Sequence, residues 1–205
     1  PGDLGAGGRP VKETNTRSSH KVMFRWFGER AARKETAEKL YDAIVAQSRN
    51  PAFYLRFGVP DTLSGRFDML VIHMFMVLQN LRLAGKEGEL LGREVVEAFI
   101  REMDSMVRDL GVGEDQVQAE VRRIAGLFYG QILIYAQAAE NEDKAALAEA
   151  VWKSFRSGNP TTQVNAQAVA EYIITALHTL RETPLPHLLQ GYLDFPEVAR
   201  ARRAG

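Results

Sequence analysis

The chain has 205 residues, 26 basic and 26 acidic side chains, no cysteine and 45% hydrophobic residues. A single domain of this length buries roughly 70% of the surface its unfolded chain exposes, so it needs no covalent staple. The missing cysteine excludes disulfides, thiolate zinc sites and cysteine catalysis, and the zero net charge excludes a disordered polyelectrolyte and a surface given over wholly to nucleic acid.

Residues 1–22 are Gly/Pro-rich and then polar (PGDLGAGGRP, VKETNTRSSHKV). They read as a disordered leader or cloning scar ahead of Met23, with the remnant of a mitochondrial transit sequence as the rival. Residues 31–49 place Ala37, Leu40, Tyr41, Ile44 and Val45 at helical spacing, and Asn50-Pro51 stops that helix. PAFYLRFG then predicts a helical turn with Phe53, Tyr54 and Phe57 as anchors. A rigid loop, 58–62, leads to a helix near 62–84 that Asp61 or Thr62 caps. This helix is apolar almost all round from Met69 to Leu78, which makes it the central element. Gly85 and Gly88 bracket a turn.

The next helix, 89–110, carries a core stripe of Leu91, Val95, Phe99, Met103, Met106 and Leu110, and Gly111 sits where a left-handed cap is expected. After the GVGEDQV corner, a helix over 115–139 buries Val117, Val121, Ile124, Phe128, Ile132 and Tyr135. A helix over 142–156 buries Leu147, Val151, Trp152 and Phe155. A last long helix, 162–182, carries Val169, Tyr172, Ile173, Ala176, Leu177 and Leu180. The tail, 184–205, with Pro184, Pro186 and Pro196, reads as extended or loosely docked. The longest apolar runs, 69–78 and 127–136, fall short of the ~20 residues that span a bilayer. The expectation is an all-α fold, a single-domain bundle of about six to seven helices over 23–183.

Chemistry-bearing motifs are scarce. His20, His73, His178 and His187 stand in no metal-ligand spacing, and GVGED lacks the strand and third glycine of a dinucleotide loop. No catalytic residue, cofactor or metal is expected. His73, on the buried helix, reads as a core histidine, with a haem or metal ligand as the rival. Arg101/Glu97 and Asp104/Arg108 are helix pairs of opposite charge.

The neutrality is a cancellation: residues 21–40 carry a net +3 and residues 85–120 a net −6. Phe24, Arg25, Trp26, Phe27, Arg30, Arg33 and Lys34 form a basic, aromatic front that suits a membrane surface or ribosomal RNA, or a first helix turn with its aromatic rings tucked into the core. Met69, Met74, Met76, Met103 and Met106 fall on the two central helices, either as an adaptable groove for apolar clients or as ordinary core packing.

GVPDTLSGRFDMLVIHMFMVLQNLR (58–82) resembles the ubiquinol–cytochrome c chaperone family, in which a GVPDT-x-x-GRF start leads into a hydrophobic helix with a histidine. REMDSMVRDLGVGEDQV (101–117) is similar to that family's DMD-x-x-x-RE-x-GVGD corner, and FYGQILIYAQA (128–138) to its FYGR-x-x-AY helix. Asp109 and the Gly113-Glu114-Asp115 run are mild departures, and Gln131 stands where an arginine is usual. The resemblance covers most of 35–155 and implies an assembly factor of respiratory complex III, not an enzyme. Its client would be newly made cytochrome b, with a small partner assembly factor, the ribosome or a membrane surface as further contacts and no DNA. The short form is similar to alphaproteobacterial members, which implies the bacterial cytoplasm or the periphery of the inner membrane, or the mitochondrial matrix in a eukaryote. The client or partner candidates are Asp61, Thr62, Arg66, Phe67, Met69, Met74, Met76, Met103, Asp104 and Arg108. The rival classes are an all-helical small-molecule binder or enzyme with titrating groups around His73, Arg66 and Asp104, and a nucleic-acid regulator, which the acidic corner at 110–123 disfavours.

Overall fold

The computed structural model describes residues 16–140 and 142–198, with side chains from Gly28 onward. Among the described residues there are eight helices and no strand: α1 (Thr16–Ser48), α2 (Pro51–Arg56), α3 (Leu63–Leu83), α4 (Lys86–Asp109), α5 (Glu114–Ala139), α6 (Lys144–Gly158), α7 (Ala166–Glu182) and α8 (Leu185–Leu188). The chain is an all-α bundle, with α2 and α8 as short connecting pieces.

By contact the chain divides into residues 1–32 and residues 33–205. In the first unit the described part is helical from Thr16, and Gly28 to Ala32 are all exposed. Residues 16–22, expected to belong to an unpatterned leader, are therefore helical. The expectation for residues 1–15 lies outside the described residues.

The second unit is organised by α3. Met69 and every residue from Val71 to Val77 are buried, because a helix with apolar side chains on all sides is stable only when surrounded. It packs against α4, α5, α6 and α7, and the sequential pairs α4–α5, α5–α6 and α6–α7 pack on one another. Thr62 caps α3, its hydroxyl accepting from the Gly65 amide. A Cβ on Gly65 would meet the Pro60 carbonyl at 2.1 Å, so the GRF glycine lets the loop fold back on the helix. Gly88, expected in a turn, lies inside α4, where a Cβ would meet the Leu81 carbonyl at 2.1 Å. It lets the start of α4 close on the end of α3.

The α4–α5 corner follows the sequence: Gly111 adopts φ +75°, and Arg108 bridges Asp104, one turn back, to Glu114 at the start of α5. Arg101 pairs with Glu38 of α1 at 3.2 Å rather than with Glu97. Two expected core positions are exposed. Leu110 follows the last turn of α4 and is 67% exposed, and Trp152 is 38% exposed with Arg156 stacked over its ring at 4.7 Å. The described part of the tail, residues 184–198, is docked rather than loose. Leu188 and Val198 are buried, Thr36 donates to the Leu189 carbonyl, and Arg56 donates to the Val198 carbonyl.

Candidate functional site

Of the two readings of the methionines, adaptable groove or ordinary core packing, the described residues show core packing. Met69, Met74 and Met76 are fully buried, Met103 is buried and Met106 is partly buried, all packed in the one core. They fill irregular gaps between helices and are not offered to a partner. Phe67 is also partly buried in the core, its ring tilted against Phe99. The polar candidates form two separate surface pairs. The Arg66 guanidinium donates to Asp61 at 2.7 Å beside the exposed Thr62, and this pairing holds the Asp61 carboxyl below its usual range. Arg108 donates to Asp104 at 2.7 Å, while Gln118 reaches the other carboxylate oxygen of Asp104. Each such exposed pair adds little to stability, because water screens the charges.

His73 is fully buried in an aromatic cluster, with Phe53, Tyr172 and Phe195 ring centroids 5.3–5.6 Å away. Nδ1 lies 2.8 Å from the Met69 carbonyl, which only accepts, so Nδ1 carries the hydrogen. Nε2 therefore accepts from the Tyr172 hydroxyl, which in turn accepts from the Gln47 amide at 3.1 Å. Burial lowers the His73 pKa to about 4, so the ring is neutral and both nitrogens are used. Neither Arg66 nor Asp104 joins it, since each is taken by its own partner. The features that would mark a ligand pocket at His73 are not there. Among the described residues no group of three or more His, Asp or Glu side chains is placed to hold a metal ion.

What the surface does offer is the outward side of α5. Residues 124–139 carry no charged side chain, and Leu127, Tyr129, Leu133 and Ile134 are 46–65% exposed. Gly126 and Gly130 lie on the same side, and a Cβ on either would meet nothing within 4 Å. A glycine inside a helix costs about 1 kcal/mol relative to alanine, and nothing in the bundle requires these two. They form a shallow notch in an apolar surface, the feature that lets a second helix approach a backbone closely. Tyr129 also walls a cleft of about 530 Å³ between α3, α4 and α5, floored by Leu78, Leu81, Gly92 and Val96.

Beside this face lies a polar niche. Asp68 of α3 accepts from Ser154 of α6 at 2.7 Å, and burial pushes its carboxyl up to about 6. The Tyr135 hydroxyl of α5 is buried without a hydrogen-bond partner, with Ser154, Asp68 and Gln131 all close enough to influence its titration. Sequence reading missed both features. The signal for the face was the charge-free run 124–139, which spacing alone assigned to the core. Asp68 stands at the edge of an apolar run, where a helix-surface charge is the simpler expectation.

Of the basic front, the side chains of Phe24, Arg25, Trp26 and Phe27 lie outside the described residues. Arg30 and Lys34 are exposed and Arg33 is half-buried.

Comparison with known proteins gives these features a family. Residues 55–195 match the family model described as ubiquinol-cytochrome C chaperone. A Mus musculus protein, ubiquinol-cytochrome c reductase complex assembly factor 1, is 24% identical over 140 residues, 68% of this chain and 47% of its own length. The Homo sapiens protein of the same description is 24% identical over the same share, 46% of its own length. The chain thus spans about half the length of these relatives. The crystal structure of the Cbp3 homolog from Brucella abortus superposes with a TM-score of 0.75 at 28% identity, covering 86% of this chain and 97% of that one. The family match runs from the end of α2 to Phe195, the ring packed on His73, and takes in every helix that surrounds α3: the chain belongs to the ubiquinol-cytochrome c chaperone family.

Proposed function

We propose that this chain is a non-enzymatic assembly chaperone for ubiquinol–cytochrome c reductase, and that it holds newly made cytochrome b against the outward side of α5. The observation that carries the reading is the charge-free stretch 124–139, with Leu127, Leu133 and Ile134 exposed around two glycines the fold does not need. Covering such side chains is worth roughly 1–2 kcal/mol each. That is enough to shelter an apolar segment and weak enough for insertion or subunit assembly to compete it away. The surface pairs Asp61–Arg66 and Asp104–Arg108 belong to the proposal only as polar rims. The cleft beside Tyr129 suits a side chain of the client or of a small partner protein. The exposed basic residues Arg30 and Lys34 suit contact with an anionic membrane or with the ribosome, in a bacterial cytoplasm or a mitochondrial matrix. No helix among the described residues is long and apolar enough to cross a membrane.

Crosslinking in cells followed by isolation of the tagged chain tests the reading. Cytochrome b should be enriched over other membrane proteins of similar abundance. Enrichment of cytochrome b no greater than that of unrelated membrane proteins contradicts it.

A further inference from the structure

A carboxylate that is withdrawn from water and left without a cation is costly, and folded chains normally pair it or expose it. Asp68 does neither. Among the described residues no basic side chain pairs with it, and its one side-chain hydrogen bond comes from the Ser154 hydroxyl to Oδ1. Gly158 and Ser64 flank the Oδ2 side, where an added Cβ on Gly158 would lie 4.0 Å from Oδ2 and 2.8 Å from Ser64, and the Asp68 side chain keeps a partly exposed edge. The orphaned Tyr135 hydroxyl adds a second unused acceptor beside the carboxylate. Three helices supply the niche, Asp68 from α3, Tyr135 and Gln131 from α5, and Ser154 from α6. The same residues of α5 continue outward, as Leu127 and Ile134 lie four before and three after Gln131, on adjoining helical positions, and both are exposed.

We infer that the niche formed by Asp68, Tyr135 and Ser154 is a socket for a single basic side chain, arginine or lysine, carried by the apolar helical partner that lies along α5. The inference rests on the proposed use of the α5 face and adds a specificity to it. An apolar surface alone holds any greasy helix in any register. A guanidinium donates several hydrogen bonds in a planar fork. It would pair with the partly exposed Asp68 carboxylate and set both the register and the choice of segment. The niche charge complements that side chain, and a like charge in the partner would be rejected.

The test uses a labelled 21-residue helical peptide with leucine and alanine on one face, glutamine on the other, and one arginine set within the apolar face. The control peptide carries glutamine in place of that arginine. Binding to the full chain is read by fluorescence anisotropy. The arginine peptide should bind about tenfold or more tightly than the control, the size expected for a desolvated charge pair. Asp68→Asn should bring the ratio to about one, and Gln131→Arg, which supplies a cation from within the chain, should do the same. Equal affinities for the wild type, or a preference that persists in both variants, overturn the socket while leaving α5 docking intact. Failure of both peptides to bind overturns the α5 docking itself.

Discussion

The Tyr172 hydroxyl donates to Nε2 of His73 across 3.0 Å, and this bond joins α7 to the centre of α3. It is the middle link of a chain whose direction is fixed at both ends, by the Gln47 amide, which donates, and the Met69 carbonyl, which accepts. Tyr172→Phe removes the donor and leaves a buried imidazole nitrogen unsatisfied. It should cost about 1–3 kcal/mol, read as a lower urea midpoint with an unchanged slope. Tyr172→Phe stability equal to wild type would mean that the link carries nothing.

The same histidine makes the fold acid-sensitive. Burial lowers its pKa to about 4 from an ordinary 6.5, so the unfolded chain binds the proton more readily than the folded one. The stabilisation is complete above pH 6.5 and is lost as pH falls through 4, an effect of about 3 kcal/mol. Unfolding followed from pH 7.5 down to 4 should show the loss, and a His73→Asn variant should show a flatter profile over that window.

Asp68 acts with the opposite sign. Its carboxyl is raised to about 6 by burial. The term favours folding fully below the ordinary value of 3.8 and is lost as pH rises through 6. Asp68→Asn should therefore stabilise the chain at pH 7, by about 1–2 kcal/mol after allowance for partial exposure, and have little effect near pH 4. Gln131→Arg should stabilise at pH 7 through a different route, by drawing the Asp68 carboxyl back down. Thermal midpoints at the two pH values distinguish these outcomes from a variant that merely repacks.

Glycines separate fold from function. Gly65→Ala and Gly88→Ala each drive a Cβ to 2.1 Å from a backbone carbonyl. Each should destabilise by about 2 kcal/mol or more. Gly126→Ala and Gly130→Ala meet open space. Each should raise stability by up to about 1 kcal/mol while weakening capture of an apolar helix. A loss of stability at Gly126 or Gly130 would show that these glycines serve the fold.

Much of the bundle was legible because it rests on local periodicity. The stripe of α7, the all-round burial of α3 and the Thr62 cap follow from spacing and cap chemistry. What was not legible depends on partners far along the chain. The tail docks because Leu188, Phe195 and Val198 find cover on helices that periodicity cannot relate to them. Gly88 falls inside a helix because its neighbour is the Leu81 carbonyl rather than solvent. The methionines read as groove or core, helical spacing leaned to core, and their burial decides for core. The α5 face was hidden for the reverse reason: a helix apolar on every side looks buried on every side, and which side is left bare depends on how many neighbours surround it.

The most direct measurement is site-specific photocrosslinking from Leu133 on the outward side of α5, during synthesis of cytochrome b. The account predicts a crosslink to cytochrome b from Leu133 and from Ile134, lost when Leu127→Glu is added to a chain that remains folded. Crosslinks to cytochrome b from other faces with none from α5, or no crosslink to it from any position, would contradict the account.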